Sequence, residues 1–425
     1  MSLTQDAKIR QMTETTMVVG IDIASERHWA RAFDWRGIEL GKAFKFENDR
    51  EGFRSLSGWI GGLAAKEGKN HVIVGVEPTG HYWFALAEYL RGSGAALVLV
   101  SPNNVKRAKE LDDNHPSKND RKDPKTIAKL VLEGRYNEPY IPEGVYAELR
   151  VAMNSRWRVV KQIAAVKNQI QRWLKVYFPE YKAAFGKFEN LSSLLLLRSA
   201  PLPADIASLG VNGVNALWRK VKIRTVGMKR AVRICEYAAT SVGIPGGEAA
   251  RMDLRLLLED YDAKLRQYEE IMRTAETLCG QIPAVAEMMK ITGIGIVTAA
   301  GFLSETGDLR RFDSPRQIQK LAGLAITENS SGKHKGSTCI SKRGRAKLRA
   351  ILFRAAIVLA AKNPEFRSVH EYYTTRRENP LKKKQSIIAM CCKLIRVFYT
   401  VTVKGREYDG AKLLADMHRN TPTAA

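Results

Sequence analysis

The order of strand-like and helix-like segments in the first 132 residues constrains the fold more than any other feature of this chain. Residues 17–24, MVVGIDIA, are of strand length, rich in Val and Ile, and predict a buried strand. HWARAFDW and IELGKAFKF follow as two further strands, with Arg36-Gly37 as the turn between them. The period then changes. Phe53, Leu56, Trp59, Ile60 and Leu63 fall on one face of a helix over 49–66. HVIVGVEP is another buried strand, His81–Leu90 a helix stopped by Gly92 and Gly94, and AALVLVSP a further strand. Two helices close the series, Asn103–Leu111 and Asp120–Leu132.

Three strands in a meander followed by β/α alternation resembles the order of elements in RNase H-like (RuvC-like) domains. Alternation alone would also suit an ordinary doubly wound α/β sheet. From residue 147 the pattern becomes long helices. Leu149, Met153, Val160, Ile163, Ile170, Leu174 and Tyr177 follow a 3-4 repeat broken only by Arg156 and Lys167, and Pro179 ends it. Leu254, Leu258, Tyr261, Leu265, Tyr268, Met272, Ala275 and Cys279 form a second, unbroken seam. Such seams suit a coiled-coil hairpin, a dimer zipper or two members of one bundle. Between them, 180–246 reads as irregular and basic, with room for a small helical insert. A third, mainly α region runs over 286–420. The expected organisation is therefore an α/β domain at 15–140, a helical coiled-coil region with an insert at 147–285, and a C-terminal domain at 286–420, consistent with a length of 425 residues.

Charge narrows the function. A formal +25 repels itself unless a polyanion screens it, and nucleic acid is the commonest such partner. A membrane surface is disfavoured: no basic amphipathic terminal helix is evident, and no apolar run is read as reaching membrane-spanning length. The N-terminus shows no signal-peptide pattern, and the five cysteines have no metal-binding spacing. A reduced, cytoplasmic protein, nucleoid-associated when bound to DNA, is the expectation.

Carboxylates mark a candidate site in the first domain. Asp22 sits in the strand VVGIDIA, where an unpaired charge is costly. Glu77 ends the strand VGVEP, and Asp120 and Asp123, in NDRKDP, project from one face of a helix start. Four carboxylates converging on strand ends and a helix terminus suit hard divalent cations. Magnesium leaves coordination positions open for phosphate. Taken singly, each has a plainer reading: Asp120 and Asp123 as acids favoured at a helix N-terminus, Glu77 as a solvated strand end.

In the third region, ITGIGIVTAAG reads as a helix-hairpin-helix. Gly293 and Gly295 permit the tight turn, and the next helix offers its N-terminal amides to a phosphate. Downstream, Ser330 and Ser331 precede Gly332 in a loop crowded with Lys333, Lys335, Lys342, Arg343, Arg345 and Arg349. Ser-Gly-Lys in a basic loop is consistent with plain phosphate contact. It is also consistent with a nucleophilic serine whose phosphorane charge the cations stabilise. His334 receives no role.

Together these residues resemble the DEDD transposases of bacterial insertion sequences, the bridge-RNA-guided recombinases. The matching motifs are GID with Asp22, VEPTG with Glu77 and DRKD with Asp120 and Asp123, then ITGIG, RRFDSPRQ, AGL, SGK, ISKRGRAKLR and PLKKKQSIIAMCCKL, in order and spacing. The resemblance covers nearly the whole chain, with 180–246 the poorest match. It implies a RuvC-like domain binding Mg²⁺ through Asp22, Glu77, Asp120 and Asp123, and a second domain whose serine, here Ser331, forms a covalent phosphoserine with DNA. It further implies an element-encoded guide RNA pairing with donor and target DNA, and a dimer assembling to a tetramer with composite active sites. Two departures stand out: Ser330 where Gln is typical, and Arg345 where Asn is frequent. The alternatives are a RuvC-like hydrolytic nuclease for branched DNA and a non-catalytic nucleic-acid-binding protein.

Overall fold

A short helix, α1 (Gln5–Arg10), capped by the Thr4 hydroxyl, precedes three strands, β1 (Thr16–Asp22), β2 (Arg27–Asp34) and β3 (Glu39–Glu47). The Asp34 carboxylate accepts from the amides of Arg36 and Ile38, fixing the β2–β3 turn, where Gly37 takes a φ of +87°. Helix α2 (Arg50–Lys66) starts at Asp49, whose carboxylate accepts from the Gly52 amide at 2.7 Å. Then come β4 (His71–Val76), α3 (Trp83–Arg91), β5 (Ala96–Val100), α4 (Pro102–Asp112), α5 (Asp123–Leu132) and β6 (Tyr136–Asn137). This computed structural model describes residues 4–112, 123–327, 330–331, 334–335 and 338–418. The chain divides into two units, Met1–Ile141 and Pro142–Ala425.

The first unit is one six-stranded sheet in the order β3-β2-β1-β4-β5-β6. β1, β2 and β3 are antiparallel neighbours, β1–β4 and β4–β5 are parallel, and β6 is antiparallel to β5. Alternation along β1 sorts the layers. Met17, Val19 and Ile21 pack with Phe53, Leu56, Trp83 and Leu86 of α2 and α3. Val18 faces the other way, with Ile73, Val98 and Val100, onto Ile127, Leu130 and Val131 of α5. A sheet covered on both faces explains why its central strands are nearly continuous in apolar character.

The second unit is helical, with a small β-ladder. Its helices are α6 (Gly144–Tyr177), α7 (Tyr181–Phe185), α8 (Leu191–Ser199), α9 (Pro203–Lys220), α10 (Met228–Ala239), α11 (Glu248–Gly280), α12 (Pro283–Met289), α13 (Ile296–Thr306) and α14 (Pro315–Leu321). After the strands β7 (Ile326–Thr327), β8 (Ser330–Ser331), β9 (His334–Lys335) and β10 (Cys339–Ile340) come α15 (Ala346–Lys362), α16 (Pro364–Thr375), α17 (Lys383–Val403) and α18 (Gly410–His418).

The two long seams meet within the chain. Helices α6 and α11 form an antiparallel hairpin whose ends feed different cores. Leu149, Met153, Ala275 and Cys279 join the core of α12–α18. Ile170, Trp173, Leu254 and Leu258 join a second core, built with α7–α10. Of the arrangements open from the seams, the hairpin is the one formed, so no dimer zipper is needed to bury Leu258, which is 2% exposed. The segment 180–246, read as irregular and basic with room for a small helical insert, is four helices around Trp218 and Tyr181. The Trp218 indole donates to the Ser192 carbonyl at 2.9 Å, so its polar edge is satisfied inside the core.

Helix α17 corrects the reading that no apolar segment reaches spanning length: its 21 residues do, by length and composition. Met390, Cys391, Leu394, Ile395 and Phe398 are buried against α15 and α16, which accounts for its apolar character as a core helix.

Candidate active site

Two glycines place the acidic residues of the first unit. Gly20 and Gly75 are Cα partners across the parallel β1–β4 pair, and both face α5. A Cβ on Gly20 would lie 1.9 Å from the Pro124 carbonyl oxygen and 2.8 Å from the Ala128 amide. One on Gly75 would lie 2.5 Å from a Val131 methyl. The missing side chains let the start of α5 rest directly on the sheet. Continuing the alternation by two residues puts Asp22 and Glu77 on the same face, side by side at the C-terminal ends of their strands. Asp123, the first residue of α5, comes near Glu77, and the residue after it, Pro124, is pressed onto Gly20.

Burial pushes the Glu77 carboxyl above its ordinary range; the nearby Lys109 opposes this, and the like charge of Asp123 adds to it. The Lys109 ammonium, from α4, sits 2.5 Å from the Asp123 carboxylate. Glu77 and Asp123 thus interact with each other and with Lys109 as a counter-charge. Among the described residues no group of three or more acidic, His or Cys side chains is placed to hold a metal ion. Magnesium does not require such a group: it typically takes one or two protein carboxylates and fills its other positions with water and substrate phosphate. The donor set therefore fits that ion. Asp120 lies outside the described residues.

In the second unit, α12, a turn and α13 form the expected pair of short helices. Gly293 adopts a φ of +100°, which L side chains avoid, and Ile291 and Ile294 anchor the turn in the core. Gly295 is the N-cap of α13 and offers no side-chain cap. The serine segment is a β-ladder. β7 pairs with β10, and β8 pairs with β9 in the register Ser330↔Lys335 and Ser331↔His334. Lys333 lies outside the described residues, and for Ser331 and Lys335 the backbone register is what is described.

The root of the ladder is tightly held. Gly323 (φ +68°) and Gly344 approach so closely that a Cβ on Gly344 would lie 2.4 Å from the Leu321 carbonyl oxygen. The Arg349 guanidinium donates to the Ala322 carbonyl at 3.0 Å. Lys342 and Arg343 are exposed at this root. Arg345, expected to contact nucleic acid, donates to the Glu305 carbonyl at 2.6 Å, at the C-terminal end of α13. Sequence reasoning missed Lys109, which carries no motif, and gave His334 no role although it is the Cα partner of Ser331.

Comparison with known proteins agrees with this layout. Residues 19–179 match a transposase family model of the DEDD type, and residues 285–371 match the transposase family of IS116, IS110 and IS902, together more than half of the chain. The IS116 44.8 kDa protein of Streptomyces clavuligerus is 23% identical over 90% of this chain and 94% of its own length. The transposase for IS1111A of Coxiella burnetii is 24% identical over 83% of this chain and 80% of its own. A pilin gene-inverting protein of Moraxella bovis is 35% identical over a shorter stretch, 28% of this chain and 37% of its own. With both family models in their proper order around an acidic strand-end site and a basic serine ladder, the chain belongs to the IS110/IS116/IS902 family of insertion-sequence transposases.

Proposed function

We propose that this transposase cleaves and rejoins DNA in a magnesium-dependent, RNA-guided reaction through a covalent phosphoserine at Ser331. The first unit is read as RNase H-like: the sheet order β3-β2-β1-β4-β5 with helices on both faces supports this. What supports the reading is the pairing of β1 with β4 through Gly20 and Gly75, which sets Asp22 and Glu77 on one face of the sheet, with the Asp123 carboxylate near enough to Glu77 to raise its pKa. Bound magnesium would supply charge neutralisation at the scissile phosphate and at the leaving oxygen. Asp22, Glu77, Asp120 and Asp123 would hold it.

The chain's own part is positioning and charge. The Ser331 oxygen forms a bond to phosphorus as a deoxyribose oxygen leaves with a proton. The phosphodiester count is conserved, and a hydroxyl of another strand can reverse the step. Lys333, Lys335, Lys342 and Arg343 supply positive charge to the phosphorane, and the turn at Gly293 and Gly295 grips the backbone. Guide RNA, donor and target DNA, and a dimer assembling to a tetramer follow from the family resemblance, as does a cytoplasmic, nucleoid-associated location. Arg345 is read as structural.

Denaturing electrophoresis of labelled DNA after incubation with magnesium and guide RNA tests the reading. A protein–DNA adduct is expected from the wild type and from Ser330→Ala, and none from Ser331→Ala. An adduct that survives in both single variants and in the double variant overturns the serine mechanism in favour of hydrolysis.

A further inference from the structure

The seam of α6 is interrupted at Arg156, and nothing in the proposed reaction uses that residue. It lines a cleft of about 80 Å³ between α6, α13 and α15, with Asn154, Trp157, Glu305, Lys347 and Arg354 among its walls. Gly301 makes the cleft possible: a Cβ there would meet an Ile351 methyl at 3.1 Å, so α13 lies close beneath α15.

The three cations are held by neutral groups. The Arg354 guanidinium lies 4.9 Å from the centre of the Trp157 ring, and that of Arg156 lies 5.4 Å from the centre of Tyr268. Lys347 donates to the Asn154 amide oxygen at 2.7 Å. The buried Nε of Arg156 has no hydrogen-bond acceptor. Among the described residues, no carboxylate forms a salt bridge with any of the three. The one acid of the cleft, Glu305, is 12% exposed and has Arg345 at 3.5 Å.

Aromatic rings and an amide orient a cation without cancelling its charge. Three such cations in one cleft repel each other until an anion enters. An unsatisfied buried donor adds a cost that only an acceptor removes. In a chain of net charge +25, the anion that fits is a phosphodiester.

We propose that this cleft is a second nucleic-acid site, distinct from the serine ladder and the glycine turn. Arg156, Lys347 and Arg354 clamp one backbone phosphate of a strand, and Trp157 fixes the Arg354 guanidinium plane for bidentate contact. The proposal rests on the reading of the chain as a nucleic-acid enzyme and adds where one strand is gripped.

The test is fluorescence anisotropy of the full chain with labelled single-stranded RNA and DNA over a salt series. The triple variant R156Q/K347Q/R354Q is expected to bind about tenfold more weakly. Its log–log salt slope should be shallower by about 0.7 for the one phosphate lost. Trp157→Leu, with all three charges kept, is expected to lose affinity less while leaving the slope unchanged. Lys347→Gln, a partly exposed single change, keeps the test valid if the triple variant unfolds, and is expected to weaken binding about threefold. An effect confined to RNA identifies the guide as the strand, one confined to DNA identifies the substrate, and either supports the site. Wild-type affinity and slope in a folded triple variant, or in Lys347→Gln if the triple variant unfolds, overturn it. A wild type that binds neither nucleic acid overturns the underlying reading instead.

Discussion

Replacing Gly20 by Ala tests whether the acidic site depends on the contact between α5 and β1. By backbone entropy alone the change should help, because Ala in a strand interior is favoured over Gly by roughly 0.5–1 kcal/mol. The structure gives the opposite sign. The new Cβ would sit 1.9 Å from the Pro124 carbonyl oxygen and 2.8 Å from the Ala128 amide, both backbone atoms that no rotamer change can move. Restoring an ordinary C···O separation of about 3.3 Å requires the start of α5 to retreat by roughly 1.4 Å. Overpacking of this kind costs about 1–3 kcal/mol. The same retreat carries Asp123 away from Glu77, and a misplacement of about 1 Å in a reacting constellation lowers rate by roughly 100-fold. Gly75→Ala is the internal comparison: its new Cβ meets the side-chain methyls of Val131 and Ile127, which can shift, so both losses should be smaller. Urea unfolding gives the stability difference, and magnesium-dependent strand cleavage gives the rate. A Gly20→Ala protein as stable and as active as wild type would refute the argument that helix contact positions the acid.

Further outcomes follow from the same geometry. Asp22→Asn is expected to abolish cleavage while nucleic-acid affinity stays within a few fold, since the site needs its negative charge whereas binding rests on the basic surface; normal cleavage by the variant removes Asp22 from the site. Glu77→Gln is expected to unfold at higher urea than wild type at neutral pH. Burial raises the folded-state pKa of Glu77, so its ionised form opposes folding, and this penalty grows as pH rises from the ordinary carboxylate value through the raised one. The advantage of Gln should therefore vanish below the ordinary value, and an advantage that persists in acid contradicts the cause given. Leu258→Lys is expected to lower stability by roughly 2–5 kcal/mol rather than to split an oligomer, because the residue is 2% exposed inside its own chain; an unchanged melting temperature with a halved light-scattering mass would favour an intermolecular seam.

Much of the first unit was legible because its strands alternate with amphipathic helices and its turns carry Gly or Asp. Predicted strand and helix ranges there lie within about three residues of those formed. Asp22 and Glu77 were singled out by their position at strand ends, but the glycines that precede them were not. The signal was the repeated spacing Gly20-x-Asp22 and Gly75-x-Glu77, a bare backbone two residues before each carboxylate. It has meaning only once the two strands are known to be parallel partners. In 180–246 only room for a small helical insert was read, whereas four helices build a core there around Trp218, Tyr181 and Phe185. A basic loop read as sequence also does not reveal that Arg345 donates to the C-terminal end of a helix.

The hairpin of α6 and α11 makes reach a quantity that can change independently of either core. Its middle is lined by Ser155, Arg158 and Gln162 opposite Lys264, Gln267 and Thr274, a polar waist separating the core of α12–α18 from that of α7–α10. Removing seven residues from each helix at this waist would draw the distal core in by about 10 Å. It would rotate that core by only about 20°, because seven residues nearly complete two turns. Insertions and deletions of that size are thus nearly silent for folding yet alter how far the distal core extends.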